Sequence, residues 1–597
     1  MRNAHDRGRS LRAIATMAIF SGDRVARFNF RRRTQRHVDG TPIAWFADVM
    51  IRARHTLVVV GSLFALGCTG AIEGPTDWSE QEGTDNSLDD SGVIHEPPRP
   101  HDGGGTTPPY DSSTPTSDAP GPGAPDATPV DPGPGPGPSP DLPLVKGLDI
   151  DEVAIFQGVK IDVAKSGAKV AKRNADVIVG RAGIVRVYVT PSSGWSAREV
   201  TGKLELVSSS GSTVITSAPT TISSASSDAA LTSTINFELP TDAIKADTKY
   251  VVSLGTAPGQ PGSGGTDKAR YPSSGTAESL DARSTGDVMK VTIVPVTIAG
   301  RSADVGPAQI ELYRQAAYAI YPTRKVEISV RAPYAWSGSI DGSGAGFDEL
   351  LNQMVSLRAK DAVAKNVYYY GAFANAGSFD EYCSGGCVTG LCGLTDDPTD
   401  ETVRACVGVG FTGAYSASTM AHEVGHAHGR YHAPCGGAAG TDPKYPYSGA
   451  KIGSWGYDLN TKSLVDPKKY VDLMSYCEPT FVSDFNYQGL VERMAAVAGS
   501  PSIYAPDAPT HYRLVNVKGD GSLRWGDPIE VHTPLVSKPI SIALEDDAGK
   551  TISTVTGHFY PYDHLPGGML FVPEPSITFR RLTAHDVIPG LISHLTR

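Results

Sequence analysis

Within residues 421–432, three imidazoles and one carboxylate fall at spacings that suit a single metal ion and the water it activates. His422 and His426 are four positions apart, so on an α-helix they stack on one face and reach a common point. Glu423 adjoins the first of them without lining up with both. Its carboxylate is therefore better placed to take a proton from water than to ligate the metal. Gly429 can turn the chain left-handed at a helix end without steric cost, which lets His432 approach the same point from another side. Three neutral nitrogen donors suit Zn2+ and leave its fourth position open, the mark of a catalytic rather than a structural site. An ion that keeps its full charge in such a set lowers the pKa of its water to ~7. His428, two positions past His426, points to the other side of the helix and reads as a surface or supporting residue.

The pattern H-E-x-x-H-x-x-G-x-x-H at 422–432 resembles the zinc signature of the metzincin metalloendopeptidases, whose sites also carry a methionine turn downstream. Asp472-Leu-Met-Ser-Tyr-Cys477 resembles that turn. The resemblance implies Met474 as an apolar support beneath the histidines. From the Met-x-Tyr form of the astacin and serralysin branches, it implies Tyr476 as a group that steadies the tetrahedral intermediate; the plain alternative is a tyrosine that only packs. Gly453-Ser-Trp-Gly-Tyr-Asp458 resembles the corresponding segment of secreted mucinase-type metzincins, whereas Ala433, just after the third histidine, departs from the known branches. The resemblance spans about residues 288–499. It implies a zinc metalloendopeptidase acting on protein or glycoprotein, with one catalytic Zn2+ on His422, His426 and His432 and with Glu423 as general base.

These residues need a scaffold, and periodicity outlines one. β-Branched runs such as 184–189, 204–207 and 250–254, separated by Ser/Gly turns, indicate a β-sandwich over 146–280. From 287 to 500 the pattern alternates: strands at 288–296, 325–330 and 367–372, helices at 309–321 and 347–360, and the histidine helix capped by Ser416 or Ser418. The run 405–411 reads as an edge strand on which a substrate could lie extended, or as a plain core strand. Residues 505–597 alternate in places and indicate a second small β domain. The fold class expected is thus an α/β (α+β) metzincin-like catalytic domain flanked by two small all-β, sandwich-like domains. Asp396, Asp397, Asp400 and Glu401 offer a weak Ca2+ site, although acidic loops are more often merely solvated.

The 597 residues carry a net charge of -11 and no basic stripe in the folded part, which argues against a nucleic-acid partner. Residues 1–49 read as a non-structural extension ahead of a better start at Met50. Residues 50–68 then form a short positive segment, an apolar run too short to span a bilayer, and Ala65-Leu-Gly-Cys68. That ending resembles a bacterial lipoprotein signal, which implies a lipid anchor at Cys68 and an extracytoplasmic location, at the outer membrane or cell surface; an ordinary secretory signal is the alternative. Residues 69–145, rich in Gly, Pro, Ser and Thr, cannot bury enough apolar surface to offset ordering and read as a disordered tether.

Of seven cysteines, Cys68 falls in the signal and the other six lie in the catalytic region, which in an oxidising compartment favours disulfides. Cys435 and Cys477 both flank the site and are the pair we expect. A second zinc on Cys383, Cys387 and Cys392 is the alternative. The rival to a peptidase is a surface adhesin or carbohydrate-binding lipoprotein whose zinc region is not catalytic.

Overall fold

The computed structural model describes residues 143–256, 262–500 and 508–597, together with the backbone of 17–21 and 24–28. The leader expected at 50–68 and all but the end of the 69–145 tether lie outside these residues. The chain separates into two compact units, 1–67 and 68–597. In the first, Met17–Ser21 pairs antiparallel with Arg24–Phe28.

The second unit is mostly β-structure with few helices. It opens with a five-stranded sheet, which includes Leu148–Phe156 and Gly183–Pro191, and a six-stranded one, which includes Arg198–Ser208 and Lys249–Gly255. Arg198–Ser208 buries every second residue of its middle, as expected of a strand with one face on a core.

The mixed sheet that follows carries the histidines. Its strands are β1 (Val288–Ile298), β2 (Lys325–Val330), β3 (Val367–Phe373), β4 (Gly390–Cys392) and β5 (Ala405–Val409). β1 pairs in parallel with β2 and β3, β3 pairs in parallel with β5, and β4 closes that side antiparallel to β5. Helices cover both faces, so β3 and β5 are buried almost throughout, whereas β1 alternates over its first half. On one face α1 (Pro307–Ile320) and α3 (Ala414–Ala427) set Tyr313, Ala317, Met420 and Val424 against Tyr368 and Tyr370. On the other, α2 (Phe347–Asp361) sets Leu350, Leu351 and Met354 against Tyr369, Phe373 and Val407. The run 405–411 is therefore not an edge. β5 is fully buried between β3 and β4, and the edge is the three-residue β4, inside a cysteine-rich loop with no strand-length pattern.

The C-terminal region forms a seven-stranded antiparallel sheet over 510–596. Its core merges with that around α2: Leu514, Ile529, Met569 and Phe571 share one apolar cluster with Leu350 and Met354. Lys518 Nζ also meets the buried Asp348 Oδ2 at 2.6 Å. Docked in this way, the sheet projects the turn between β6 (Thr551–Pro561) and β7 (Gly567–Pro573) toward β4.

Candidate metal centre

Helix α3 begins earlier than its serines suggested. The cap is Gly413, not Ser416 or Ser418, because Gln309 of α1 does the capping: it accepts from Gly413 N at 2.7 Å and donates to Gly413 O at 3.0 Å. Within the helix, Gly425 has no side chain because Met474 lies against it; a Cβ there would sit 2.7 Å from the sulfur. Met474 is fully buried, and the buried Asp472 holds its turn by accepting from the backbone of Met474 and Ser483 and from Asn486. The helix ends as its glycine requires. Gly429 adopts φ 74°, and Arg430 N bonds back to Gly425 O at 3.0 Å.

This framework brings His422, His426 and His432 together. His426 Nε2 lies 3.2 Å from His422 Nε2 and 3.1 Å from His432 Nε2. The opposite ring nitrogens each face a backbone carbonyl: Leu473 O for His422 at 2.6 Å, Arg430 O for His426 at 2.6 Å and Ala439 O for His432 at 2.5 Å. A carbonyl accepts only, so each Nδ1 carries the hydrogen and each Nε2 turns a lone pair toward the common point. Burial holds all three rings neutral, with His426 lowered to about 4 and His432 to about 3. Three lone pairs converging at this distance repel one another unless a cation lies among them. Zinc–nitrogen bonds of ~2.0–2.1 Å at tetrahedral angles place ligand nitrogens ~3.3 Å apart, so the set fits zinc.

Glu423 lies beside this point, almost completely buried, with the Asp563 carboxylate as its hydrogen-bonding neighbour and His564 Nε2 3.8 Å from its Oε1. Burial, reinforced by the charge of Asp563 and a hydrogen bond to it, pushes its pKa well above the ordinary carboxylate range. Gly390 of the edge strand lies directly over it. The Tyr476 ring is 4.9 Å from that of His432 and 6.2 Å from that of His422, and burial raises its hydroxyl pKa. His428 is not on the surface. It is buried on the far side of the helix, stacked on Tyr368 at 4.2 Å and bonded to Val424 O, with burial lowering its pKa to about 3.

Two residues of the site come from the C-terminal sheet and were missed in the sequence. At the turn between β6 and β7, His564 brings a ring nitrogen into the same cluster as the three histidines, with all four ligand atoms within 4.8 Å of one another. Asp563, fully buried, lies 2.6 Å from His564 Nδ1 and 3.2 Å from His426 Nε2, and accepts from Cys392 N at 2.8 Å. Burial alone would raise its pKa, but His564, His426 and the Cys392 amide outweigh that and hold it well below the ordinary range. A fourth ring nitrogen of the chain therefore lies near the position expected to be open. The only sequence signal was an Asp-His pair between prolines in Pro561-Tyr-Asp-His-Leu-Pro566, far downstream of the histidine helix.

Disulfides brace these parts. Cys435–Cys477 ties the turn after His432 to the methionine turn as expected, Cys392–Cys406 ties β4 to β5, and Cys383–Cys387 closes a short loop. These sulfurs are consumed, which removes the alternative of a second zinc on Cys383, Cys387 and Cys392. The acidic loop is engaged in local contacts: Asp400 is buried and accepts from Tyr560, Asp396 accepts from Tyr431, and Asp397 caps the turn at Thr399.

A histidine triad turned inward by carbonyls, beside a buried glutamate and an edge strand, is the kind of centre found in a zinc-dependent hydrolase. The comparison with known families agrees: residues 404–493, from β5 through α3 and the methionine turn, match the family Peptidase M66, a zinc metallopeptidase family of mucinase type. This stretch is recognised as metallopeptidase. No curated protein matches the chain.

Proposed function

We propose that the chain is an extracytoplasmic zinc metalloendopeptidase with a metzincin-like catalytic region, acting on protein or glycoprotein and either secreted or held by a lipid at Cys68. The observation that carries the reading is the convergence of three Nε2 lone pairs beside a buried glutamate. Burying an ionisable side chain costs free energy even when it is hydrogen-bonded, so a position that keeps one beside a metal centre has a use for it outside the fold. His422, His426 and His432 would hold Zn2+, which supplies Lewis-acid polarisation of a scissile carbonyl and of a water. Glu423 takes the proton from that water and returns it to the leaving amine. Tyr476 donates to the developing oxyanion, and β4 offers its main chain to an extended substrate. The extracytoplasmic assignment rests on three disulfides and the leader-like segment.

The test is Glu423→Gln, assayed on a peptide library and on glycosylated and unglycosylated proteins, with and without chelator. The variant is expected to keep its zinc and fold and to lose turnover; cleavage at the parent's rate would show that another group is the base. The rival, a binding lipoprotein with a non-catalytic zinc region, is favoured by one observation, the fourth histidine of the chain's own beside the triad. A parent and a His564→Ala variant that both bind zinc and cleave nothing in any panel would decide for it.

A further inference from the structure

We propose that the turn between β6 and β7 is an internal plug that occupies both the substrate edge and the fourth metal position, with His564 as the fourth ligand and Asp563 positioning it, so that the chain folds into a closed form of the site. The inference rests on the metallopeptidase reading and adds its regulation.

Three independent contacts carry it. First, the turn pairs with β4 as a substrate strand would. Leu394 N donates to Pro561 O at 3.0 Å, Asp563 N donates to Cys392 O at 3.2 Å, and Gly393 and Tyr562 are antiparallel partners. These are main-chain groups at the C-terminal end of the edge and just beyond it, and the plug uses them. Second, His564 joins the three histidines. Asp563 Oδ2 lies 2.6 Å from its Nδ1 and 3.2 Å from His426 Nε2, while its Nε2 lies 3.8 Å from Glu423 Oε1. A carboxylate bonded to one imidazole nitrogen fixes the ring's orientation and leaves the other nitrogen free to ligate. Third, the turn is fixed rather than draped. Asp563 Oδ1 accepts from Cys392 N, Leu565 packs beside Gly344, and Tyr562 is buried.

Four protein ligands make a closed zinc site, whereas hydrolysis needs one position free for water or substrate. An edge strand already paired also cannot accept a second partner. Withdrawal of one turn clears both obstructions, and the helix, the histidine triad and Glu423 contribute nothing to that turn's own hairpin. The mass of the C-terminal sheet remains docked on α2 through its apolar core.

The experiment loads the full-length chain with Co2+ and compares the parent with His564→Ala and His564→Cys by electronic absorption, before and after addition of acetohydroxamate. The same proteins, as zinc forms, are assayed on an unfolded protein substrate. A parent spectrum insensitive to the hydroxamate, a sensitive His564→Ala spectrum and a cobalt–thiolate charge-transfer band in His564→Cys are expected. Peptide hydrolysis by His564→Ala should exceed the parent's by ~10-fold or more, as expected when a minor open population becomes the major one. His564→Cys retains a ligand and reports even if the alanine variant is unstable. A parent that takes the hydroxamate as readily as His564→Ala, with no thiolate band in the cysteine variant, overturns the plug. If the spectra behave as expected but neither protein hydrolyses anything, the plug stands and the peptidase reading falls.

Discussion

Gly390→Ala isolates the position of the general base without touching the base or its metal. A Cβ on Gly390 would lie 2.5 Å from Glu423 Cγ, and closer still to the carboxylate carbon and Oε1, where ordinary contact begins at 3.4 Å. Either the carboxylate or the edge strand must retreat by about 1 Å. β4 is paired with β5 and tied to it by Cys392–Cys406, so the side chain is the softer partner. Misplacing a catalytic group by about 1 Å costs ~100-fold in rate, or ~2.7 kcal/mol of transition-state stabilisation. The assay is steady-state peptide hydrolysis in the His564→Ala background, where the plug does not mask the effect, together with zinc content and a melting curve. The expected outcome is kcat lowered ~100-fold with zinc stoichiometry unchanged. A kcat within threefold of the background protein, with zinc retained, would refute the claim that Glu423 works from this position.

Tyr476→Phe is expected to lower kcat by roughly tenfold to a thousandfold with little change in KM if its hydroxyl steadies the oxyanion; an unchanged kcat would assign it to packing. Gly429→Ala forces a left-handed alanine at a cost of ~1–2 kcal/mol, and its Cβ meets Thr395 O at 3.2 Å; differential scanning calorimetry should show a lower Tm and a zinc titration a weaker affinity. Chelation should lower the Tm of the full-length protein and zinc should restore it, because only a cation relieves the convergence of the three Nε2 atoms; zinc at a hundredfold its Kd contributes ~2.7 kcal/mol.

The parts of the site legible in the sequence are those set by local geometry. His422 and His426 share a face because a helix repeats every 3.6 residues, Gly429 ends that helix because φ 74° suits glycine, and Met474 follows from a contiguous motif. What was not legible depends on distant partners. The start of α3 hides behind its serines because the cap is Gly413, held in place by a glutamine from α1. His428 looks solvent-facing on a helical wheel, but Tyr368, from a neighbouring strand, covers it. β5 has the apolar run of a strand, and nothing in that run reveals that a three-residue neighbour takes the edge. Asp563 and His564 had no spacing rule to expose them, since their partners lie in another sheet and their local sequence is that of an ordinary tight turn.

X-ray absorption at the zinc edge of the zinc-loaded full-length chain tests the central claim most directly, because it reports the donors around the ion irrespective of activity. The account predicts one zinc per chain with a shell rich in imidazole nitrogen, and that shell degraded in His426→Ala. A chain that retains no zinc after dialysis, or a shell that contains sulfur or a single imidazole, would contradict it.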